Sequence, residues 1–327
     1  MKNSFLLNKS KAVFKSTARF LFHSYNNLTD GKAKALILVY HRVLERAPFN
    51  PLNNIVTKSN FIKQVEEIAK KYPVATLTDI IRQCQSGQPK EKTQVVLTFD
   101  DGYYDNYDIV LPILQKKGLP ATFFLITDYI NGNFPLWDWQ IFNILSDNTL
   151  VRSMNIEGHI IRQWTFEPRT SYIFRILARM KPISFAMRHK IIFALKREIK
   201  DRLDSSYAKE RCMSWEEIRR MTDAGMEIGS HSLSHRSLAK IPFEDAAQEL
   251  KKSKEIIEQN INRQCRHFSF PYGGKQDCNQ RLVNYAKEAG YEDCLLNVHG
   301  YNHLKKDNFC FRRIIMENET NVNHLFG

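Results

Sequence analysis

The sequence contains no Cys-x-x-Cys pair, no long apolar segment at its start, no internal repeat and no low-complexity tract. Its six cysteines (Cys84, Cys212, Cys265, Cys278, Cys294 and Cys310) are scattered, which fits reduced thiols in a cytoplasmic protein better than a disulfide framework. Near the N-terminus Lys9, Lys11, Lys15 and Arg19 interrupt every apolar stretch before it reaches the length of a signal peptide or a spanning helix, so export by that route is not expected. Acidic residues are in short supply. The 35 Asp and Glu against 48 Lys and Arg leave a net charge of +13, which favours an acidic partner such as an anionic membrane surface or an acidic glycan. Helix-turn-helix, zinc-finger and RNA-motif signatures are missing, so nucleic acid is not the expected partner.

What is present is a chain of 327 residues, 43% apolar, long enough for one large barrel-like domain or two modest ones. Within residues 1–34 the apolar pairs Leu6/Leu7, Val13/Phe14 and Phe20/Leu21 recur every seven positions, giving a helical stripe opposite the basic residues. That pattern suits a helix lying peripherally on the inner face of an anionic membrane, and equally one docked on the protein's own surface. From residue 35 to 327 apolar runs alternate with helical patterns, as when parallel strands and covering helices form an α/β barrel or doubly wound sheet. The predicted strands are Ala35–Tyr40, Val95–Phe99, Ala121–Thr127, Met226–Ser230, His267–Phe270 and Cys294–Val298. Phe61, Val65 and Ile68 mark one helix face, Tyr104 to Lys117 predicts a helix stopped by Gly118, and Ser214 with Glu217 forms a capping box. Residues 137–211 break the alternation and read as a mainly helical insertion with a hairpin around Glu157-Gly158. The insertion is expected to serve as a lid or platform, or as a plain structural excursion. Its Trp137-Asp138-Trp139 offers indoles that either stack on sugar rings or anchor the insertion.

The chemistry gathers at predicted strand ends, where α/β folds collect their reacting groups. Asp100-Asp101-Gly102 follows the buried run Val95-Val96-Leu97. Two carboxylates there cost several kcal/mol each unless a cation or donors offset them, although acids can also cap a following helix. His231 and His235 lie four residues apart past another strand, and on a helical turn both rings would reach one ion. Two His and one carboxylate leave positions open for water and substrate, as a catalytic site requires. Pro271-Tyr272-Gly273-Gly274 ends a third strand, where a main-chain N–H could face a developing oxyanion.

Thr-Phe-Asp-Asp-Gly (98–102), His-Ser-x-x-His (231–235) and Phe-x-Phe-Pro-Tyr-Gly (268–273), in this order, resemble the motifs of the polysaccharide deacetylases, the NodB-homology domain of carbohydrate esterase family 4. Tyr40-His41-Arg42-Val43 and the Phe61 to Leu77 stretch resemble the branch containing poly-N-acetylglucosamine deacetylases. The resemblance implies a distorted (β/α) barrel with fewer than eight repeats and a divalent metal, of the Zn2+ type, on Asp101, His231 and His235. It implies Asp100 as general base, and Pro271 and the Tyr272 N–H at the oxyanion. The activity implied is removal of N-acetyl groups from amino sugars of a cell-envelope polysaccharide or its lipid-linked precursor. Alternatives are hydrolysis of a small non-sugar amide on the same barrel and glycan binding without turnover. Two features depart from the family pattern. The arginine that often orients the catalytic Asp is replaced by Ser269-Phe270, with Arg266 a few residues upstream. The late Leu-x-His segment becomes Leu296-Asn297-Val298-His299, so His299 is a general-acid candidate by position and His41, at the first strand's end, is its rival.

Overall fold

The computed structural model describes residues 34–46, 54–88, 90, 92–132, 135–147, 153–162, 168–199 and 211–325. The amphipathic N-terminal segment therefore lies outside the described residues, apart from Lys34. In chain order the strands are β1 (Lys34–Tyr40), β2 (Arg42–Leu44), β3 (Ile55–Thr57), β4 (Gln94–Phe99), β5 (Thr122–Leu125), β6 (Met154–Ile156), β7 (His159–Ile161), β8 (Glu227–Ser230), β9 (His267–Ser269), β10 (Asp293–Leu296), β11 (Asn302–His303), β12 (Cys310–Arg312) and β13 (Ile314–Ile315).

Strands β1, β4, β5, β8, β9, β10 and β12 lie side by side and parallel, and each predicted strand falls on one of them. The last stave was not predicted. β12 pairs with β10, and one residue later β13 pairs with β1 through Leu38↔Ile314 and Val39↔Ile315. Cys310–Ile315 thus spans the seam between the two ends of the sheet, changing partners at Arg313, whose N–H donates to Leu296 O at 2.9 Å. Counted as one stave, this segment completes a seven-stave barrel, in keeping with fewer than eight repeats.

Strand alternation sends Ile37, Val96, Phe124, Leu295 and Phe311 to the inside, while Leu38, Leu97, Phe123 and Phe268 face the covering helices. The inside is narrow. A Cβ on Gly229 would lie 2.6 Å from the Phe124 ring and 2.9 Å from His267 O, so glycine is required where Phe124 crosses β8. The helix Leu77–Ser86 closes the N-terminal end of the barrel with Leu77, Ile80, Ile81 and Cys84. Beneath it the Glu227 carboxylate accepts from Leu77 N (2.9 Å), Thr78 N (3.2 Å) and Thr122 Oγ1 (2.7 Å). His267 pairs through Nδ1 with Asp293 and through Nε2 with Thr78 Oγ1.

Burial pulls the His267 pKa down, but Asp293 and Glu227 outweigh it and carry it up to about 10. Burial likewise pushes Glu227 up, and the bonds from His267 and the two threonines bring it down to about 2. The raised His267 value contributes stability that is full below its ordinary 6.5 and lost as pH rises toward 10. The depressed Glu227 value contributes stability that is present above its ordinary 4.5 and lost as pH falls toward 2. This network should therefore support the fold most between about pH 4.5 and 6.5. Replacing His267→Ala strands buried carboxylates and should cost about 3–5 kcal/mol in denaturant unfolding, with most of the pH dependence above 6.5 removed.

The predicted insertion contains the helices Trp137–Asp147, Arg169–Met180 and Phe185–Ile199 and the hairpin β6–β7. The hairpin turn sits on Glu157 and Gly158, both at positive φ (48° and 86°), as a tight two-residue turn demands. Its apolar residues, among them Ile141, Ile176, Met180 and Leu195, belong to the same core as the barrel. Trp137 and Trp139 are both buried, under the guanidinium groups of Arg188 and Arg42 respectively, and so anchor the segment. No helix among the described residues is long and apolar enough to cross a membrane.

Candidate active site

Asp100 and Asp101 follow β4 directly, and neither caps a helix. Asp100 N–H donates to Tyr40 O at 3.0 Å, which continues the β1–β4 ladder by one residue and turns the side chain into the barrel mouth. There Arg313 grips it with both prongs, Nη1 to Oδ1 at 2.7 Å and Nη2 to Oδ2 at 2.6 Å. Arg313 Nη2 also donates to Ser269 Oγ at 2.8 Å, and both members of the ion pair are fully buried. Burial pushes the Asp100 carboxyl up, but Arg313 and His231 overcome it and hold it at about 2. Asp100 is thus an ionised, oriented carboxylate at any working pH.

The orienting arginine is therefore present, delivered by the seam between β12 and β13 instead of by the third motif. Arg266, the upstream candidate, pairs with Glu292 at 3.2 Å and turns away from Asp100. Nothing in Cys310-Phe311-Arg312-Arg313 distinguishes a buried arginine from the basic surface of a +13 chain. The available signal was a demand: a buried Asp100 needs a cation of its own if the metal belongs to Asp101.

Asp101 has the opposite character. Its Oδ1 is buried without a hydrogen-bond partner, and the Nε2 atoms of His231 and His235 stand 3.5 and 3.6 Å from it. The three ligand atoms lie within 4.8 Å of one another, a spacing that one ion can bridge. Burial, then the charges of Asp138 and Asp100, push the Asp101 carboxyl well above its ordinary value. Burial lowers His231 and pushes His235 far down, the latter helped by His231 itself, so both rings are neutral and have lone pairs to offer. His231 Nδ1 bonds Ser269 O at 2.8 Å, which fixes the proton on Nδ1 and leaves Nε2 as the donor to a metal. A cation at this point would satisfy the orphaned Oδ1 and restore Asp101 to its charged form. The residues fit a divalent ion of nitrogen and oxygen preference.

The two histidines are not on a helical turn, contrary to expectation. Residues 231–235 form a loop in which Ser232 (φ 69°) and His235 (φ 58°) are left-handed, and the rings still come to 5.1 Å. Asp101 (φ 80°) and Tyr272 (φ 63°) share this conformation, so among the described residues four of the seven non-glycine positions at positive φ belong to the three motifs. Such backbone costs of order 1–3 kcal/mol per residue and persists only where neighbours impose it. Here they do. Arg188, fully buried on the helix Phe185–Ile199, donates to the carbonyls of Ser234 (2.8 Å) and His235 (2.9 Å) as well as Met180 and Lys181. Tyr272 OH donates to His235 O at 3.1 Å. Ser234 N–H and Oγ both bond the buried Glu249. Sequence reasoning missed Arg188 because a basic helix in an insertion reads as solvated surface.

Pro271 is buried and Tyr272 follows in its left-handed turn, with Asn297 Nδ2 donating to Tyr272 O at 3.1 Å. A Cβ on Gly273 (φ 61°) would stand 2.5 Å from Asn297 N, which explains the glycine. The Tyr272 and His235 rings lie 4.6 Å apart, so the third motif walls the histidine loop. Burial lowers the pKa of His41, between β1 and β2, to about 4, with the charge of Asp100 opposing the shift and that of Arg313 reinforcing it. Its Nδ1 is buried without a hydrogen-bond partner. His299 is exposed in the loop after β10.

Fold and site together define an α/β-barrel protein with an aspartate and two histidines gathered at the carboxyl ends of its strands and a second, arginine-held aspartate beside them. The sequence matches the polysaccharide deacetylase family over residues 87–171 and 188–294, more than half of the chain, and the protein belongs to that family. It is 31% identical over 151 residues to the poly-beta-1,6-N-acetyl-D-glucosamine N-deacetylase of Staphylococcus epidermidis, a match covering 42% of this chain and 49% of that protein. The matched part thus spans about half the length of the curated relatives. Among solved structures, the Streptococcus pyogenes deacetylase PplD in complex with acetate superposes with a TM-score of 0.59 at 17% identity, covering 90% of this chain and 97% of that one. IcaB from Ammonifex degensii gives a TM-score of 0.55, also at 17% identity, covering 87% and 92%. These likenesses confirm the barrel.

Proposed function

We propose that this protein is a metal-dependent N-deacetylase acting on N-acetylated amino sugars of a cell-envelope polysaccharide or its lipid-linked precursor, with Zn2+ as the native ion. One observation carries the reading: neutral His231 and His235 converge on the unpartnered Oδ1 of Asp101, beside an Asp100 that Arg313 keeps ionised. A bound ion would supply Lewis acidity and lower the pKa of a coordinated water toward about 7. Asp100, held ionised by Arg313, is placed to take the proton from a water attacking the acetamido carbonyl. The Tyr272 main-chain N–H, held by the Pro271 turn, faces the developing oxyanion. The leaving amine takes back the proton that Asp100 accepted, because burial lowers the His41 pKa to about 4 and leaves that ring uncharged and a poor proton donor, so His41→Ala and His299→Ala should both lower kcat far less than Asp100→Asn. An equal loss in either histidine variant would transfer the role to that residue. The +13 charge supports an anionic or lipid-linked substrate met at the cytoplasmic face of the membrane.

Acetate release tests the proposal against a panel of N-acetylglucosamine oligomers, lipid-linked N-acetylated glycans and small non-sugar amides. Release from the glycans alone is expected. Release from the small amides alone would favour the second reading, and glycan binding unaffected by chelation with no acetate from any substrate would leave a binding protein. Replacing Arg188→Met removes the brace on His235 without touching a ligand, and metal affinity should fall about 10–100-fold in an equilibrium titration.

A further inference from the structure

Cys294 and Cys310, scattered in sequence, are register partners on adjacent parallel strands β10 and β12. Neighbouring strands run about 4.8 Å apart, and register partners point to the same face. That separation falls within the span of about 4.4–6.8 Å between Cα atoms that a disulfide bridges. The two sulfurs are 2.9 Å apart, so about 1 Å of movement separates them from a bond of about 2.05 Å. Cys310 is exposed and Cys294 is buried, which makes Cys310 the entry point for an oxidant. The contact with Cys294 also lowers the Cys310 thiol pKa, while burial raises that of Cys294. Cys310 is therefore the better nucleophile of the two.

We propose that Cys294 and Cys310 form a reversible disulfide that latches the barrel seam, made by exchange with a small-molecule disulfide. The Cys310 thiolate attacks one sulfur of the oxidant, forming a mixed disulfide and expelling a thiolate. Cys294 loses its proton, attacks the Cys310 sulfur and expels the second thiolate. Two protein thiols are oxidised, one small disulfide is reduced to two thiols, and the protons released from the cysteines end on those thiols. The bond ties β12 to β10 three residues before Arg313, on the stave that closes the barrel. The latch is independent of the proposed deacetylase activity. It escapes sequence inspection because β12 lies 16 residues along the chain and is visible only once the seam has formed.

The test uses the full chain treated with oxidised glutathione or with dithiothreitol, followed by alkylation, intact mass, peptide mapping and thermal melting. The oxidised protein should lose two of its six alkylatable thiols and yield a peptide linking Cys294 to Cys310. Its Tm should rise by on the order of 5 °C, and dithiothreitol should reverse both changes. Cys278→Ser should behave as wild type, and Cys310→Ser should show neither the link nor the shift. Stable glutathione on Cys310, a Cys278–Cys310 link, or both Cys294 and Cys310 still alkylatable after oxidation would overturn the proposal.

Discussion

Asp100→Asn is expected to lower acetate release by about 10²–10⁴-fold while leaving metal stoichiometry unchanged. The two halves of this result follow from the division of labour between neighbouring acids. Asp100 spends both oxygens on Arg313 and stays ionised, whereas Asp101 offers an unpartnered oxygen to two neutral imidazoles. An amide at position 100 keeps the shape and one acceptor for Arg313 but cannot take a proton from water. Asp101→Asn should instead weaken metal binding, because it removes the one anionic ligand of the three. Calorimetric titration of both variants with Zn2+, beside acetate assays, separates these outcomes. If Asp100→Asn lost the ion and Asp101→Asn kept it, the assignments would have to be exchanged.

Arg313→Met should be nearly as damaging, by a different route. It leaves Asp100 buried with its guanidinium partner gone, at a cost of about 3–5 kcal/mol of stability for a broken buried pair. Without that cation burial dominates and the Asp100 pKa rises from about 2. The acid limb of the pH–rate profile therefore moves to higher pH, the direction in which a base with a raised pKa is lost. Arg313→Lys retains charge but not the two-pronged grip, so it should recover stability better than rate. The Asp100→Asn/Arg313→Met double variant should regain stability relative to Arg313→Met alone, since no buried charge is then unpaired. Urea unfolding of the set, with pH–rate profiles where activity persists, reads these effects.

The parts legible in the sequence were those written in short spans. Val95-Val96-Leu97 ending in Asp100-Asp101 shows a buried strand and its reactive end within seven residues, and His231 and His235 are visible by spacing alone. Ser214 with Glu217 showed a helix start that the structure reproduces with both capping bonds. What escaped depends on contacts between distant segments. Arg313 meets Asp100 across 213 positions because a stave changes partner at that residue. The left-handed loop of His235 depends on carbonyls held by Arg188, 47 residues earlier, on a helix whose composition resembles surface. Periodicity reports which face a residue occupies; it carries no information about which distant carbonyl or carboxylate waits there. The tryptophans of the insertion illustrate the same limit, since stacking on sugar and anchoring in a core have one sequence pattern and only burial separates them.

The most direct measurement is acetate release from an N-acetylglucosamine oligomer as a function of metal occupancy in wild type and in His231→Ala/His235→Ala. The expected result is one divalent ion per wild-type chain, activity that disappears on chelation and returns with Zn2+, and neither ion nor activity in the double variant. Wild-type activity that survives complete metal removal, or tight binding of the ion by the double variant, would contradict it.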